Sequence, residues 1–412
     1  MLSDFADLLG GDEFARRARR PDCPNAFTRK SKLPLPALVA ALMSMRSGSQ
    51  QVSLDEFFAA ARSESAPVRG ISDRGFDKAR KKLHMPSLQW LNQQLLERAT
   101  KANLIPLWNG FRVVAADGST LQPALRACHR SRSSASPNQI LFAMYLPGAE
   151  LMLHASVHSS AFGERAMLME SLEHLGPNDV LVLDRGYPAS WLIQFLIERG
   201  IRFVIRCDSS SSWSAVRAFM RSSEMDSHVT LSPPSAEDAQ DWGCARVAPT
   251  VRLVKSITPE GKVRVMVTNL TPEQVPTAAF AELYHQRWRV EEALKRLKHV
   301  QYLESVSGLS QQALIIDVAA KVLADNVASL MCLTAEKIHD MHARNRFCNR
   351  RYAARALTRV LPSVLMMIGD VLLTIAKAIA NLARNHCRYS PGRSTPRPKH
   401  HVKPHPRYAY KG

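Results

Sequence analysis

The alternation of hydrophobic and polar positions divides the chain into helical ends around a strand-rich middle. Before about residue 105, apolar positions recur with helical spacing, as in Leu33 to Met43 and Ser87 to Ala102. From Phe111 to residue 207, short apolar runs of strand length alternate with helical segments. This order is typical of a mixed sheet with helices on its faces, so we predict the α/β class.

The middle of the chain is predicted to run three strands, helix, strand, helix, strand. We expect strands at 111–117, 140–146, 151–157, 180–184 and 201–206, and helices at 159–175 and 188–199. Residues 208–275 form a β-rich insertion in this interpretation, because two runs there alternate with period two around Pro259-Glu-Gly261. Helices return after Pro276 and continue to near Arg384.

These patterns predict six regions along the chain. The tail from His386 to Gly412 has seven Lys/Arg, five Pro and no acid, so we expect it to be disordered when free. The regions are a helical N-terminal region (1–105), an α/β core in two parts (106–207 and 276–335), the β-rich insertion (208–275), a helical C-terminal region (336–385) and the basic tail (386–412).

The charge of the chain points to a polyanionic partner. It has 55 Lys+Arg against 36 Asp+Glu, a net charge of +19, which favours nucleic acid, although ribosomal and membrane-surface proteins are also basic. Its seven cysteines are scattered without a CxxC pair, which argues against a zinc ribbon or disulfide framework and for a reducing compartment. We see no signal peptide, and the apolar stretch from Leu361 to Leu382 contains Asp370 and Lys377. We therefore expect a cytoplasmic protein without a membrane span.

Two predicted strands end in aspartate. Asp117-Gly-Ser follows the first strand, and Asp184-Arg-Gly-Tyr follows the fourth. Open sheets place functional side chains at the carboxyl ends of their strands, which makes both aspartates candidate ligands or catalytic groups. The alternative for each is an ordinary turn, because Asp-Gly pairs are common there.

The predicted helix at 281–299 has one apolar and one chemically rich face. Its core face holds Leu283, Val290, Ala293, Leu294 and Leu297. The opposite face has an aromatic ring, cations and a carboxylate: Tyr284, Arg287, Glu291, Lys295 and Lys298. In the alternative interpretation, Glu291 only forms surface salt bridges with Lys295 or Lys298.

Three carboxylates beside helical cations fit two-metal phosphoryl transfer. Mg²⁺ prefers carboxylate oxygen, and two ions about 4 Å apart activate a nucleophile and stabilise the leaving oxygen. Cations on the same helix can then hold DNA phosphates. No P-loop or GxGxxG motif indicates ATP dependence. A second cationic helix near residues 72–83 either contacts phosphates or is a solvated face; its candidate residues are Lys78, Arg80 and Lys81.

These motifs together resemble those of a known enzyme family. The spacing Tyr284-x2-Arg287-x3-Glu291-x6-Lys298 resembles the Tyr-Arg-Glu-Lys signature of insertion-sequence-four-type bacterial transposases. The sequences around Asp117 and Asp184 look like the motifs of the two catalytic aspartates of DDE transposases, and Glu291 stands at the position of the catalytic glutamate.

The resemblance implies a ribonuclease-H-like core interrupted by a β-rich insertion. It also implies two Mg²⁺ ions, for which Mn²⁺ can substitute, bound by the three acids, while Tyr284, Arg287 and Lys298 hold phosphates. The expected activity is cut-and-paste transposition at inverted-repeat DNA ends by a synaptic homodimer, in the bacterial cytoplasm near the nucleoid. Two alternatives stay open: an inactive or domesticated DNA-binding derivative, and a nuclease without strand transfer.

Overall fold

An eight-stranded sheet forms the centre of the protein. The computed structural model describes residues 2–45, 49–123, 138–209, 211–257 and 261–388. The strands of the sheet are β1 (Arg112–Leu121), β2 (Gln139–Leu146), β3 (Leu151–Ser159), β4 (Asp179–Leu183), β5 (Arg202–Cys207), β6 (Asp226–Thr230), β7 (Thr250–Ile257) and β8 (Val263–Thr268). Their order is β3-β2-β1-β4-β5-β8-β7-β6. β4 is parallel to β1 and to β5, and the other neighbours are antiparallel, so the predicted mixed α/β class is confirmed.

The first strand is longer than the sequence predicts. We expected it to end at Asp117, with a turn at Asp-Gly, but β1 continues to Leu121. The added residues pair with β2, as in the register Gly118↔Phe142. The turn interpretation of Asp117-Gly118 is therefore wrong, because the backbone there is held in a strand ladder.

Residues 208–275 extend the same sheet. Their strands β6, β7 and β8 lie beside β5 and continue its hydrogen-bonded order to the far edge. Two helices that the strand pattern did not predict also lie in this segment, α9 (Ser214–Arg221) and α10 (Ala236–Trp242). At the end of α10, Trp242 stacks on Trp191 with ring centroids 4.2 Å apart. The segment therefore shares the apolar core of the sheet.

Helices cover both faces of the sheet. Since successive strand residues point to opposite faces, Val114 and Ala116 pack with α7 (Glu164–Ser171) and α8 (Ser190–Glu198). Val113 and Ala115 pack on the other face, beneath α11 (Phe280–His299). The core residues predicted for α11 are all buried: Leu283, Val290, Ala293, Leu294 and Leu297.

The two ends of the chain form one helical body. The N-terminal helices are α1 (Leu2–Gly10), α2 (Asp12–Arg17), α3 (Leu35–Ser44), α4 (Gln50–Arg62), α5 (Asp73–Lys81) and α6 (Pro86–Lys101). The C-terminal helices are α12 (Gln311–Ile338), α13 (Arg350–Leu365) and α14 (Val371–Arg384). α12 contacts α3, α6, α13 and the edge strand β3, so it joins this body to the sheet.

The basic tail begins with a short strand. β9 (Arg346–Cys348) pairs with β10 (His386–Arg388), so the first three residues of the predicted disordered tail are ordered by this pairing. The rest of that prediction, 389–412, lies outside the described residues. None of the helices in the described part of the chain combines the length and apolar character needed to cross a membrane.

Candidate active site

Parallel pairing brings the two candidate aspartates to one level of the sheet. β1 and β4 pair in the register Ala115↔Val182, and Asp117 and Asp184 each stand two residues further along. A two-residue step returns a strand side chain to the same face, here the face of α11. The Asp184 carboxylate accepts a hydrogen bond of 2.7 Å from the Gly186 backbone N–H, which orients it at the end of β4.

Helix α11 brings the candidate glutamate to the same place. Nη2 of Arg287 donates a 2.7 Å hydrogen bond to Oε1 of Glu291, and Nη1 of Arg287 lies 3.7 Å from Oδ2 of Asp117. The guanidinium group thus stands between the two carboxylates. Arg287 is 4% exposed, so its charge is compensated by these acids within the protein.

Charge accumulates around Asp117. Burial raises the pKa of Asp117 to about 7; the Arg287 cation opposes the rise, and the charges of Glu291, Asp184 and Glu164 add to it. Because the charges of three other acids raise the pKa of Asp117, its carboxyl group lies within electrostatic range of all three. Such clustering of acids is typical of functional sites, although structural ion-pair networks also produce it.

Glu164 is a fourth acid near Asp117, and no sequence pattern predicted it as a site residue. It is the first residue of α7, where an acid ordinarily stabilises the helix dipole. Although the residue as a whole is exposed, its carboxyl group packs against β1. This partial burial raises the pKa of Glu164, and the charge of Asp184 raises it further.

Tyr187, in the Asp-Arg-Gly-Tyr motif, is buried beside these acids. Its hydroxyl finds no hydrogen-bond partner among the described residues. Burial raises the pKa of Tyr187 well above its ordinary value, and the charges of Glu164, Asp117 and Asp184 act in the same direction. The hydroxyl therefore lies in the acidic site and keeps its proton available for donation.

Tyr284 is an internal residue surrounded by arginines. Its ring is 1% exposed, and the guanidinium carbons of Arg206, Arg264 and Arg287 lie 5.4, 5.7 and 5.7 Å from the ring centroid. The Tyr284 hydroxyl accepts a long hydrogen bond of 3.4 Å from Arg206. Burial of the ring does not suit the predicted direct grip on phosphates. Arg206 and Arg264 on β5 and β8 are the cations beside it that the sequence did not reveal.

Arg287 and the lysines of α11 differ in their access to a ligand. Arg287, predicted to hold phosphates, is committed to carboxylates instead, because its buried charge needs an acidic partner. Lys298 donates a 2.5 Å hydrogen bond to the Thr120 carbonyl oxygen on β1. Lys295 is exposed. Glu291 forms an ion pair with Arg287, a partner that the surface-lysine alternative did not name.

The cations of α5 are divided between surface and interior. Lys78 and Lys81 are exposed. Arg80 is 3% exposed, donates a 2.5 Å hydrogen bond to Ser307 and pairs with Asp77 at 2.9 Å. The predicted phosphate contact of Arg80 therefore does not fit the structure, because its guanidinium group is used to join α5 to the segment before α12.

Comparison with known proteins assigns the region that holds these residues. Residues 109–326, more than half of the chain, match the family described as Transposase DDE domain. The chain belongs to the DDE transposase family. The matched region of the transposase starts just before β1 and ends within α12, so it includes all four clustered acids.

The similarity of the chain to solved structures is distant. The cryo-EM structure of a piggyBac transposase synaptic complex with hairpin DNA has 13% sequence identity to this transposase and a TM-score of 0.43, covering 95% of this chain and 86% of that chain. Among curated proteins, no relative matches.

The acids of the transposase suit a divalent cation by their chemistry. DDE transposases generally use divalent metals, and carboxylate oxygen is the ligand that Mg²⁺ prefers. In the part of the chain that the structure describes, no three His, Cys, Asp or Glu side chains form a ready metal-binding group. Arg287 occupies the space between Asp117 and Glu291. The side chains are of the chemical type that Mg²⁺ binds, and Arg287 provides positive charge among these acids.

Proposed function

We propose that this transposase cuts DNA at the inverted-repeat ends of its transposon and joins the freed ends to target DNA. In this proposal Asp117, Asp184 and Glu291 hold two Mg²⁺ ions, for which Mn²⁺ can substitute. The observation that carries it is the approach of Asp117 and Glu291 to the same guanidinium group, beside the strand position of Asp184. Acids that are far apart in the sequence converge on one place in the fold.

Each acid has a distinct part in the proposed chemistry. When bound, the metal ions supply an activated water or 3′-hydroxyl and stabilise the leaving oxygen. Asp117 and Asp184 come from the rigid sheet, which fixes their separation. Glu291 comes from a helix and pairs with Arg287, whose guanidinium group also lies 3.7 Å from Asp117. The partial burial of Asp117 lowers the local dielectric, which strengthens its interaction with any cation.

DNA is the proposed partner, bound by a homodimer of the transposase. The net charge of +19 supports a polyanionic partner. Lys295 is exposed on the helix of Glu291, and Lys298 lies on that helix near β1. Lys78 and Lys81 offer a second exposed basic surface on α5. Phosphate contacts at these places position the duplex without reading its sequence.

The finer family assignment is part of the proposal. The Tyr-Arg-Glu-Lys spacing supports the insertion-sequence-four type. Three antiparallel strands followed by two parallel strands, each preceded by a helix, support a ribonuclease-H-like core. The strand-rich segment 208–275 falls between Asp184 and Glu291, as the resemblance implies. Our six-region division of the chain and the cytoplasmic location near the nucleoid remain predictions.

A Mg²⁺-dependent cleavage assay on inverted-repeat DNA tests the proposal. Asp117→Asn, Asp184→Asn and Glu291→Gln should each lower the cleavage rate by at least roughly 100-fold, since even outer-sphere partners of metals are worth about 10- to 100-fold. Binding of the DNA ends should persist. The matched control is Glu292→Gln, which removes an exposed acid from the neighbouring position of the same helix.

Three outcomes separate the proposal from its alternatives. Wild-type cleavage by folded Glu291→Gln would contradict the site assignment. Binding without Mg²⁺-dependent cleavage by the unmodified chain would support the inactive or domesticated DNA-binding derivative. Cleavage without joining of the 3′ ends to target DNA would indicate a nuclease.

A further inference from the structure

Arg80 is buried where helix α5 meets the connecting segment 301–310, which joins α11 to α12. Nη1 of Arg80 donates a 2.5 Å hydrogen bond to Oγ of Ser307, and the Ser307 hydroxyl donates in turn to Oδ1 of Asp317 at 2.6 Å. The Ser307 backbone N–H also donates to Asp317. All three residues are at most 6% exposed. Charge-assisted hydrogen bonds between buried groups hold α5 and the connecting segment in one arrangement.

Gly308 provides the space for this arginine. A Cβ atom at Gly308 would lie 2.9 Å from Cζ and from Nη1 of Arg80, and closer still to Nη2. The φ angle of Gly308 is not in the left-handed region, so the backbone conformation does not require glycine here. The close approach of the guanidinium group does require it.

The connecting segment is anchored to both β1 and α11. The backbone N–H of Gln122, just past the end of β1, donates a 3.0 Å hydrogen bond to Oε1 of Glu304. The backbone N–H of Leu303 donates to the Leu297 carbonyl oxygen on α11, and the Leu303 side chain is buried in the apolar core beneath that helix. The segment that holds Arg80 is therefore fixed to the strand and the helix that carry two of the proposed catalytic acids.

The side of α5 opposite Arg80 carries exposed cations. They recur with helical spacing at Arg74, Lys78, Lys81 and Lys82. At about 100° per residue these four lie within roughly a third of the helix circumference, whereas Arg80 and Phe76 lie on the buried side. Exposed lysines and arginines bind DNA phosphates. One face of α5 is thus suited to DNA, and the other is fixed to the connecting segment.

We infer that Arg80 is a positioning residue, which sets the place of the DNA-binding face of α5 relative to the acids of the transposase site. The inference rests on the proposed function. Phosphate contacts fix the register of a duplex on a protein, so a duplex held on α5 presents one phosphodiester bond to the acids only if α5 itself is fixed. Arg80 fixes it through Ser307, without touching DNA. Loss of Arg80 should therefore reduce the rate and the accuracy of cutting more than the affinity for DNA.

Single-turnover cleavage of a labelled inverted-repeat duplex by the full-length protein, with all of the duplex bound, tests this role. Arg80→Ala should lower the rate constant of cleavage by about 10- to 100-fold, because a misplacement of about 1 Å caused far from the chemistry can cost about 100-fold. Part of the cuts should move to neighbouring phosphodiester bonds, while the Kd for the duplex, measured without Mg²⁺, should stay unchanged. Arg80→Lys keeps the charge but loses the planar guanidinium group, so its rate should be intermediate.

Three further variants separate positioning from binding and from stability. Gly308→Ala keeps every polar group but displaces the guanidinium group, so it should lower the rate and move the cuts as Arg80→Ala does. Lys78→Ala removes an exposed cation of the same helix and should raise the Kd without moving the cuts. Leu9→Ala removes a buried side chain of α1 and so lowers stability elsewhere in the helical body. It should leave the rate and the cut position unchanged at a temperature where circular dichroism shows the variant to be folded.

Each contrary result has its own meaning. If folded Arg80→Ala and Gly308→Ala cut at the wild-type rate and position, the inference is overturned. If Leu9→Ala loses as much activity for an equal drop in melting temperature, Arg80 only stabilises the fold, which also overturns it. A raised Kd with an unchanged rate would make Arg80 a binding residue and overturn it as well. If the unmodified protein binds the duplex but does not cut it in Mg²⁺, the proposed function itself fails, and the inference fails with it.

Discussion

A buried ion pair fixes the glutamate helix to the helical body, and its loss should destabilise the protein strongly. Arg296 of α11 donates hydrogen bonds of 2.7 and 2.8 Å to the two oxygens of Asp325 on α12. Both side chains are almost fully buried, at 8% and 1% exposure. We predict that Arg296→Met lowers the free energy of unfolding by about 3–5 kcal/mol, since it leaves a buried carboxylate without its cation.

The magnitude follows from what remains after the substitution. Asp325 loses both charge-assisted hydrogen bonds, and the Tyr145 hydroxyl loses a weaker contact of 3.4 Å. Glu150, 3.6 Å from Arg296, keeps Arg350 at 3.3 Å, so its charge stays compensated. Because Glu150 stays compensated, the expected loss of unfolding free energy is nearer to about 3 kcal/mol than to about 5 kcal/mol.

A double-mutant cycle isolates the pair. Arg296→Met combined with Asp325→Leu removes both charges, and the double variant should be more stable than either single variant, with a coupling energy of about 2–3 kcal/mol. Urea unfolding followed by circular dichroism measures the stabilities. Arg289→Met is the matched control, because Arg289 is an exposed arginine of the same helix and donates a hydrogen bond to the Pro147 carbonyl oxygen. If Arg296→Met lowers the free energy of unfolding by no more than Arg289→Met does, the reasoning is refuted.

Three other predictions follow from the same structure. Replacing both Arg206 and Arg264 by Ala should weaken DNA binding and reduce its salt dependence by about two counterions; an unchanged salt slope in a binding titration would contradict a phosphate role. Arg80→Ala should destabilise the fold by roughly 1–3 kcal/mol in urea unfolding, and exposed Lys78→Ala by less than about 0.5 kcal/mol; equal effects would contradict the buried role. Burial lowers the pKa of His154 to about 3, so the unfolded chain takes up a proton near pH 6.5 before the folded chain does. His154 alone should therefore contribute a loss of roughly 2 kcal/mol in unfolding free energy between pH 7.5 and pH 5, measured as the difference between the wild-type protein and His154→Gln in unfolding curves at the two pH values.

Local sequence patterns were sufficient to predict much of the fold and to select Asp117 and Asp184 as candidate site residues. Buried strands such as β4 are continuous apolar runs, so their ends are visible in the sequence, and Asp184 stands at such an end. The apolar stripe of α11 identified its apolar buried residues in the same way, although Tyr284 and Arg287 from the predicted polar face are buried as well.

The remaining features depend on contacts between distant segments. β1 continues past Asp117 because it pairs with β2. Hydrogen bonds between two strands do not appear as a periodic pattern in the sequence of either strand. Arg80 is buried because Ser307 lies opposite it, 227 residues further along the chain. Glu164 has the sequence context of an ordinary helix start, and only its fit over Gly118 shows that it approaches the acidic site.

Arg287 connects the carboxylates with the cations that we propose for DNA. The guanidinium group of an arginine binds carboxylate and phosphate with the same geometry. The position of Arg287 in the sequence motif therefore did not distinguish the two uses. Burial does, because a cation withdrawn from water needs a permanent partner, and Glu291 at 2.7 Å provides one. Arg206 and Arg264 are less buried than Arg287, which leaves their guanidinium groups more accessible to a ligand. Phosphate should therefore meet Arg206 and Arg264 beside the Tyr284 ring, while Arg287 stays paired with Glu291.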